Sequence, residues 1–138
     1  MTSKRLENEI VLNIRFSDLD PMGVVWHGNY VKYFEDGRET FGLRYGLSYF
    51  EFERQGVFAP VVEIDIRYKK PIRFGDNVVL KTMYQKSCAA KILFEYEIKN
   101  AKTNEILTMA KSIQVFVNKN GDLILSNPAF YEEWKSLV

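Results

Sequence analysis

The chain contains a single cysteine and a single histidine among its 138 residues. Cys88 has no second cysteine with which to form an internal disulfide, and one cysteine with one histidine supplies too few ligands for a zinc site. We therefore expect Cys88 to be an ordinary strand residue and the protein to need no metal or other cofactor. The sequence also lacks an apolar run of membrane-spanning length, and its first ten residues lack the apolar core of a signal peptide. A cytoplasmic protein without membrane insertion is the expectation.

Charge of one sign does not dominate either. Lys and Arg number 19 against 18 Asp and Glu, and the charges are dispersed, so the basic surface of a nucleic-acid-binding protein is missing. Hydrophobic residues make up 46% and charged residues 27%, as in ordinary globular proteins. A chain of this length builds one domain with a real core and is too short for two, so residues 1–138 are predicted to form a single domain.

Apolar spacing predicts one long helix. Tyr30, Tyr33, Phe34, Gly37 and Phe41 recur at intervals of three and four, which places them on one helical face, and Gly28 or Asn29 can cap the start. Further apolar residues, Val31 and Leu43, lie on other sides of this helix. The helix is therefore predicted to be buried on more than one face.

The rest of the chain is mostly strand. Ile14 and Phe16 show the alternation of a half-buried strand, and Ser48 to Glu51 forms a capping box for a short helix that stops at Gly56. Alternating apolar residues then predict four consecutive strands: Val62 to Tyr68, Val78 to Tyr84, Ile92 to Ile98, and a strand from near Glu105 to Val117. An edge segment at Leu123 to Leu125 and a last helical turn or two after Asn127-Pro128 complete the pattern.

One strand, one long helix and several strands at hairpin spacing predict an α+β domain, in which an antiparallel sheet wraps around the helix. One sheet on one helix leaves a sheet edge open, and edge-to-edge pairing of two copies would remove that liability. A homodimer is the expectation.

Candidate chemistry concentrates between Arg15 and Glu35, in the sequence RFSDLDPMGVVWHGNYVKYFE. Asp20 lies a few residues before the helix start, where unpaired backbone N–H groups and the positive end of the helix dipole can polarise a carbonyl oxygen. A carboxylate beside such a dipole suits hydrolysis of an activated acyl group. The alternative is structural, since aspartate is a common turn former before proline.

This segment carries a family resemblance. Residues 18 to 30, DLDPMGVVWHGNY, followed by Glu35, resemble the signature of hotdog-fold acyl-CoA thioesterases of the 4-hydroxybenzoyl-CoA type, including the Tol-Pal-cluster subgroup. A second recurrent family segment resembles RYKKP at residues 67 to 71 together with FGD at 74 to 76. With the strand order, the likeness covers nearly the whole chain.

The resemblance implies the hotdog fold, a homodimer or homotetramer, and hydrolysis of an acyl-CoA thioester to a carboxylic acid and coenzyme A. It implies that Asp20, rather than Asp18, attacks the thioester carbonyl or activates water, and that a backbone N–H near His27 polarises the thioester oxygen. His27 is assigned to the catalytic set, with orientation and ligand contact favoured over proton transfer. Gly28, Tyr30 and Glu63 are the candidate substrate-binding residues. A thiolate is a good leaving group, so one carboxylate and a dipole can suffice without a triad.

Each of these residues also has a structural explanation. Tyr30 is of a type more often found in the core, Glu35 is interpreted as structural, and Glu63 could be a solvated residue of a strand face. Cations cluster at Lys69, Lys70 and Arg73 and at Lys86 and Lys91, yet none has the spacing of a phosphate-binding loop, so no coenzyme A site is assigned.

Two other functions compete with hydrolysis. A non-catalytic acyl-thioester-binding module, acting as a sensor or carrier-protein partner, has no use for a desolvated carboxylate at the reacting carbon, so Asp20 favours the enzyme. A hotdog dehydratase would need a histidine and a carboxylate working together on adjacent carbons. The sequence leaves open the acyl group, the carrier, and whether Asp20 is nucleophile or general base.

Overall fold

The computed structural model describes residues 5–138. In this part of the chain three α-helices and seven strands alternate with two short 3-10 turns, Phe16–Asp18 and His27–Asn29. The helices are α1 (Tyr30–Tyr45), α2 (Tyr49–Arg54) and α3 (Ala129–Ser136). The strands are β1 (Glu7–Leu12), β2 (Val57–Phe58), β3 (Val61–Tyr68), β4 (Val78–Gln85), β5 (Lys91–Asn100), β6 (Ile106–Asn118) and β7 (Leu123–Ile124).

The strands form one antiparallel sheet. Its order is β1-β4-β5-β6, and β6 also pairs with β2, β3 and β7. Along β5 the side chains alternate, so that Ile92, Phe94, Tyr96 and Ile98 are buried on the inner face. The predicted α+β class and the antiparallel sheet around one long helix are confirmed.

Helix α1 lies on the inner face of the sheet, as its apolar spacing predicts. Tyr30, Tyr33, Phe34 and Phe41 are buried on it. A Cβ atom at Gly37 would overlap Thr82 Oγ1 and lie 2.8 Å from Leu80 Cδ2, so the absence of a side chain at this position allows the helix to approach β4 closely.

The first predicted strand is wrong. β1 ends at Leu12, and Phe16 begins a 3-10 turn with its side chain 77% exposed. The two-residue alternation of Ile14 and Phe16 was too short to distinguish a strand from a turn. Ile14 is buried in the core, whereas the Phe16 ring lies on the surface, edge-on to Phe74 at 5.9 Å between centroids.

Two other predictions need correction. Val31 and Leu43 are exposed, so α1 buries one broad face and not the further faces that these two residues predicted. Cys88 is exposed in the bend between β4 and β5 rather than in a strand. The connection between the two strands consists of residues 86–90, and Cys88 is in its middle. Within residues 5–138, no helix is long and apolar enough to cross a membrane.

Candidate active site

Asp20 begins a tight turn whose sequence explains its shape. The Gly23 N–H donates to the Asp20 carbonyl at 2.9 Å, and the Asp20 N–H donates to the Val24 carbonyl at 2.8 Å. Aspartate first, proline second and glycine fourth is the preferred residue order of a type I turn, and Gly23 has the positive φ of +77° that glycine tolerates. The turn holds Asp20 at the surface of the protein, half-buried.

The Asp20 carboxylate has one occupied oxygen and one free oxygen. Its Oδ1 accepts a hydrogen bond of 2.8 Å from the Met22 N–H, which helps to fix the side chain. Its Oδ2 accepts no hydrogen bond from the part of the chain that the structure describes. One carboxylate oxygen is therefore available to a substrate or to a water molecule.

Asp18 makes more hydrogen bonds within the protein than Asp20 does, through one carboxylate oxygen and its backbone carbonyl. Its Oδ2 accepts from the Arg15 N–H and from the Tyr33 hydroxyl, both at 3.0 Å. Its carbonyl accepts from the Trp26 N–H at 2.9 Å and from the Asn29 Nδ2 at 2.8 Å. Asp18 thus connects the two ends of the loop to α1.

After the turn at Asp20, the chain lies beside residues 72 and 73, which precede β4. Leu19 bridges Val25 in antiparallel fashion, and Val24 bridges Arg73. The Val25 N–H donates to the Ile72 carbonyl at 2.8 Å. These contacts hold the loop against a second part of the chain and so restrict the position of Asp20.

The 3-10 turn His27–Asn29 runs directly into α1 and presents free donors. Within residues 5–138 no carbonyl or side chain accepts from the N–H of His27 or of Gly28. The His27 N–H shares its peptide with the Trp26 carbonyl, which accepts from the Asn29 N–H at 2.9 Å. The Gly28 N–H shares its peptide with the His27 carbonyl, which accepts from the Tyr68 hydroxyl at 2.8 Å. A pair of unpaired N–H groups at a helix start is an anion-binding arrangement.

The His27 imidazole is exposed and packs against the Trp26 ring at 5.0 Å between centroids. Among the described residues neither of its nitrogens is hydrogen-bonded, so no carboxylate orients it as a general base. A Cβ atom at Gly28 would overlap the Trp26 ring, which explains the glycine at this position.

Tyr30 and Glu63 lie apart from the open side of the loop. Tyr30 is only 2% exposed, and its ring contacts Tyr33 and Tyr68 edge-on. Glu63 pairs with Ile113 on the sheet face that points away from α1. The structure therefore brings Asp20, His27 and Gly28 onto one loop, and within a single chain it places Tyr30 in the core and Glu63 on the outer face of the sheet.

A separate cleft of about 620 Å³ opens along α1 beyond its first turns. Its walls come from α1, α2, β5, β6 and the link between β2 and β3, with a mainly apolar lining that includes Phe50, Phe58 and Phe94. Arg38 lines it and donates to the Tyr96 hydroxyl at 2.9 Å. Asp20 does not line the cleft, so one chain alone does not join the two features.

Sequence reasoning treated Tyr33 as core and did not single out Tyr68. Both hydroxyls bind the loop, one at the Asp18 carboxylate and the other at the His27 carbonyl. The one available signal for Tyr68 was its place in the RYKKP segment of the family resemblance.

Comparison with known proteins identifies the family of the chain. The family model described as the thioesterase-like superfamily matches residues 14–134. The chain belongs to this superfamily. A putative acyl-CoA thioesterase of Bacillus subtilis is 31% identical over 89% of the chain and 88% of its own length.

Two further proteins extend the comparison. An acyl-acyl carrier protein thioesterase of Arabidopsis thaliana is 31% identical to this chain. The match covers 80% of this chain and 58% of the Arabidopsis protein. The crystal structure of a DHNA-CoA thioesterase from Staphylococcus aureus superposes with a TM-score of 0.85 at 29% identity and covers 95% of this chain and 89% of that one. The predicted family, hotdog fold and thioester hydrolase class are thereby confirmed.

Proposed function

We propose that this protein hydrolyses acyl-CoA thioesters, with Asp20 as the catalytic carboxylate and the His27–Asn29 turn as the site of carbonyl polarisation. One observation carries the proposal. A single loop, fixed at both ends, presents a free carboxylate oxygen of Asp20 and two unpaired backbone N–H groups, those of His27 and Gly28. Thioester hydrolysis needs these two elements, an activated attacking oxygen and a donor for the developing oxyanion.

Two routes are compatible with the arrangement. In one, Asp20 takes a proton from a water molecule while the oxygen of that water bonds to the thioester carbon. The C–S bond then breaks, and the released coenzyme A receives the proton from Asp20. In the other, the Asp20 oxygen itself bonds to the carbon and displaces the thiolate, and water then cleaves the resulting anhydride. In both routes the negative charge on the former carbonyl oxygen develops beside the His27 and Gly28 N–H groups.

The named relatives support the substrate class. The Bacillus subtilis protein is described as a putative acyl-CoA thioesterase, and the Staphylococcus aureus structure is that of a DHNA-CoA thioesterase. The Arabidopsis protein acts on acyl carrier protein thioesters, so a protein carrier is the alternative to coenzyme A. The apolar lining of the cleft supports an acyl group of substantial apolar surface.

A homodimer completes this proposal. Strand β3 pairs only with β6 in residues 5–138, which leaves its other edge unpaired, and Val62 on this strand is exposed. Antiparallel pairing of two β3 strands about Ile64 would bring the Val61 end of one protomer next to Tyr68 of the partner subunit. Because Val61 lines the cleft and Tyr68 binds the His27 carbonyl, the cleft of one protomer would then adjoin the catalytic turn of the other.

A substrate panel tests the proposed function. Purified protein is assayed for thiol release with acyl-CoA esters of increasing chain length, with an aryl-CoA, and with the same acyl groups on acyl carrier protein. Asp20→Asn protein, prepared in parallel, identifies any contaminating hydrolase. Saturable release that is lost in the variant supports the proposal. Tight binding of every ester without release would show an acyl-thioester-binding module instead.

A further inference from the structure

Tyr68 makes a contact that neither the family resemblance nor the proposed chemistry uses. It is the last residue of β3, where it pairs with Thr108 of β6. The next two residues, Lys69 and Lys70, both donate their N–H groups to the Leu107 carbonyl, at 2.9 and 3.0 Å. The backbone around Tyr68 is therefore fixed to the sheet, although its side chain is almost half exposed.

The side chain of Tyr68 reaches from the sheet to the start of α1. Its hydroxyl donates to the His27 carbonyl at 2.8 Å, and its ring meets Tyr30 edge-on with centroids 4.8 Å apart. Tyr30 is itself buried at the first position of α1. The ring contact sets the direction of the Tyr68 hydroxyl, and the hydroxyl sets the position of the His27 carbonyl.

The His27 carbonyl belongs to the same peptide unit as the Gly28 N–H. In a planar trans peptide the C=O and the N–H point in opposite directions, so a bond that fixes one also aims the other. A hydrogen bond accepted by the carbonyl polarises the peptide as well and makes its N–H a better donor. Burial raises the pKa of Tyr68 above its usual value, so the hydroxyl remains a donor throughout the neutral range.

We propose that Tyr68 is a positioning residue of the oxyanion site, which through the His27 carbonyl aims and polarises the 27–28 peptide toward the reacting thioester. The inference rests on the proposed function and adds a residue of the sheet to it. Tyr68 acts through the peptide and does not touch the reacting atoms. Its contribution should therefore be to turnover and not to substrate affinity.

The test compares Tyr68→Phe with Tyr45→Phe. Both substitutions remove only a hydroxyl, and the Tyr45 hydroxyl also donates to a backbone carbonyl at 2.8 Å, that of Glu7, far from the loop. We expect Tyr68→Phe to lower kcat about 10-fold, less than the roughly 100-fold or greater loss of an oxyanion donor itself, because both N–H groups remain. KM should change less than about 2-fold, and Tyr45→Phe should leave both constants unchanged.

A second measurement does not depend on turnover. In amide NMR spectra, Tyr68→Phe should move the Gly28 N–H resonance upfield, and Tyr45→Phe should leave it in place. Unchanged kcat, a rise in KM alone, or an unmoved Gly28 resonance would each overturn the role of Tyr68. Lack of hydrolysis by the unmodified protein refutes the proposed function instead, and in that case the resonance decides whether Tyr68 controls this peptide.

Discussion

The Tyr33 hydroxyl donates to the Asp18 carboxylate across 3.0 Å and so joins the first turn of α1 to the loop that precedes it. The same Asp18 oxygen accepts the Arg15 N–H, and the Asp18 carbonyl accepts from Trp26 and Asn29. Four donors therefore converge on one residue that lies two positions before Asp20. These contacts fix the backbone of the loop directly before Asp20.

Removal of the Tyr33 hydroxyl should destabilise the protein through this network. In Tyr33→Phe the Asp18 carboxylate loses the hydroxyl donor of a buried tyrosine, and hydrogen bonds to charged groups contribute about 1.5–3 kcal/mol. We expect the free energy of unfolding to fall by about 1–2 kcal/mol in urea titrations, with activity reduced as the loop loosens. An unchanged unfolding midpoint, equal to that of the unmodified protein, would show that the bond is dispensable.

Replacement of Asp20 by Asn keeps the side-chain shape and removes the charge. The expected result is a loss of kcat of roughly 100-fold or more, with KM largely retained, on the scale of removing a positioned base. Asp122→Asn is the control, because Asp122 is an exposed aspartate in the turn between β6 and β7, outside the loop. Parent-level turnover in Asp20→Asn together with inactivity of Asp18→Asn would reverse the assignment within the pair.

Two substitutions at His27 separate its backbone from its side chain. His27→Ala keeps the N–H and should lower kcat less than about 10-fold, whereas a general base would cost 100-fold or more. His27→Pro deletes the N–H, and the loss of one oxyanion donor costs roughly 100- to 1,000-fold. Proline suits the first position of a helical turn, and Trp26 has the extended ψ of 135° that a residue before proline adopts.

Circular dichroism of both His27 variants is the check that they fold. Near-total inactivation by alanine and proline alike would assign His27 as the catalytic base and remove the backbone donor from the mechanism.

The dimer prediction can be tested with charges on the two sheet edges. Val62 on β3 and Val11 on β1 are 59% and 77% exposed, so each can be changed to lysine without loss of a core contact. Lysine on a pairing edge opposes strand addition. Val62→Lys should produce monomers in sedimentation velocity runs and lose activity in parallel, while Val11→Lys should retain both dimer and activity. A fully active monomer at micromolar concentration would contradict the prediction.

Alkaline pH should unfold the protein at a lower denaturant concentration. Burial, together with the Asp18 carboxylate, raises the pKa of Tyr33, and burial also raises the pKa of Tyr131, whose hydroxyl lies 2.6 Å from that of Tyr84. Above pH 10 the unfolded chain releases these protons while the folded chain holds them, so stability is intact at neutral pH and falls as pH rises past about 10. Urea midpoints between pH 7 and 11 measure the effect, and Tyr131→Phe should make the midpoint depend less on pH. A midpoint independent of pH would contradict the burial of these phenols.

The long helix and the consecutive strands could be predicted because their periodic patterns extend over many residues. Helix α1 begins at Tyr30, and its predicted face is the buried one. Patterns of only two or three residues gave wrong predictions of strand and of burial. The alternation of Ile14 and Phe16 spans three residues, and the exposure of Val31 and Leu43 depends on which side of the helix the sheet covers, which composition does not encode.

The same limit applies to the loop. The family resemblance singled out Asp20 and the turn near His27 because both lie in one continuous segment. Tyr68 is distant in sequence, and its contact with the His27 carbonyl follows from the sheet register that places the end of β3 beside the start of α1. The catalytic assignments stay predictions, as do the substrate-binding ones. The residues are Asp20 and His27 for catalysis, and Gly28, Tyr30 and Glu63 for binding.

The contacts of Val24 and Val25 with Arg73 and Ile72 also have a consequence for the order of folding. The loop reaches its final shape only after a segment far along the chain has joined it, and closing that long loop costs entropy before any contact compensates. On the ribosome the N-terminal third of the chain emerges without its partner segment. The catalytic geometry should thus be acquired after the sheet has assembled, and in refolding experiments the recovery of activity should lag behind the recovery of strand signal.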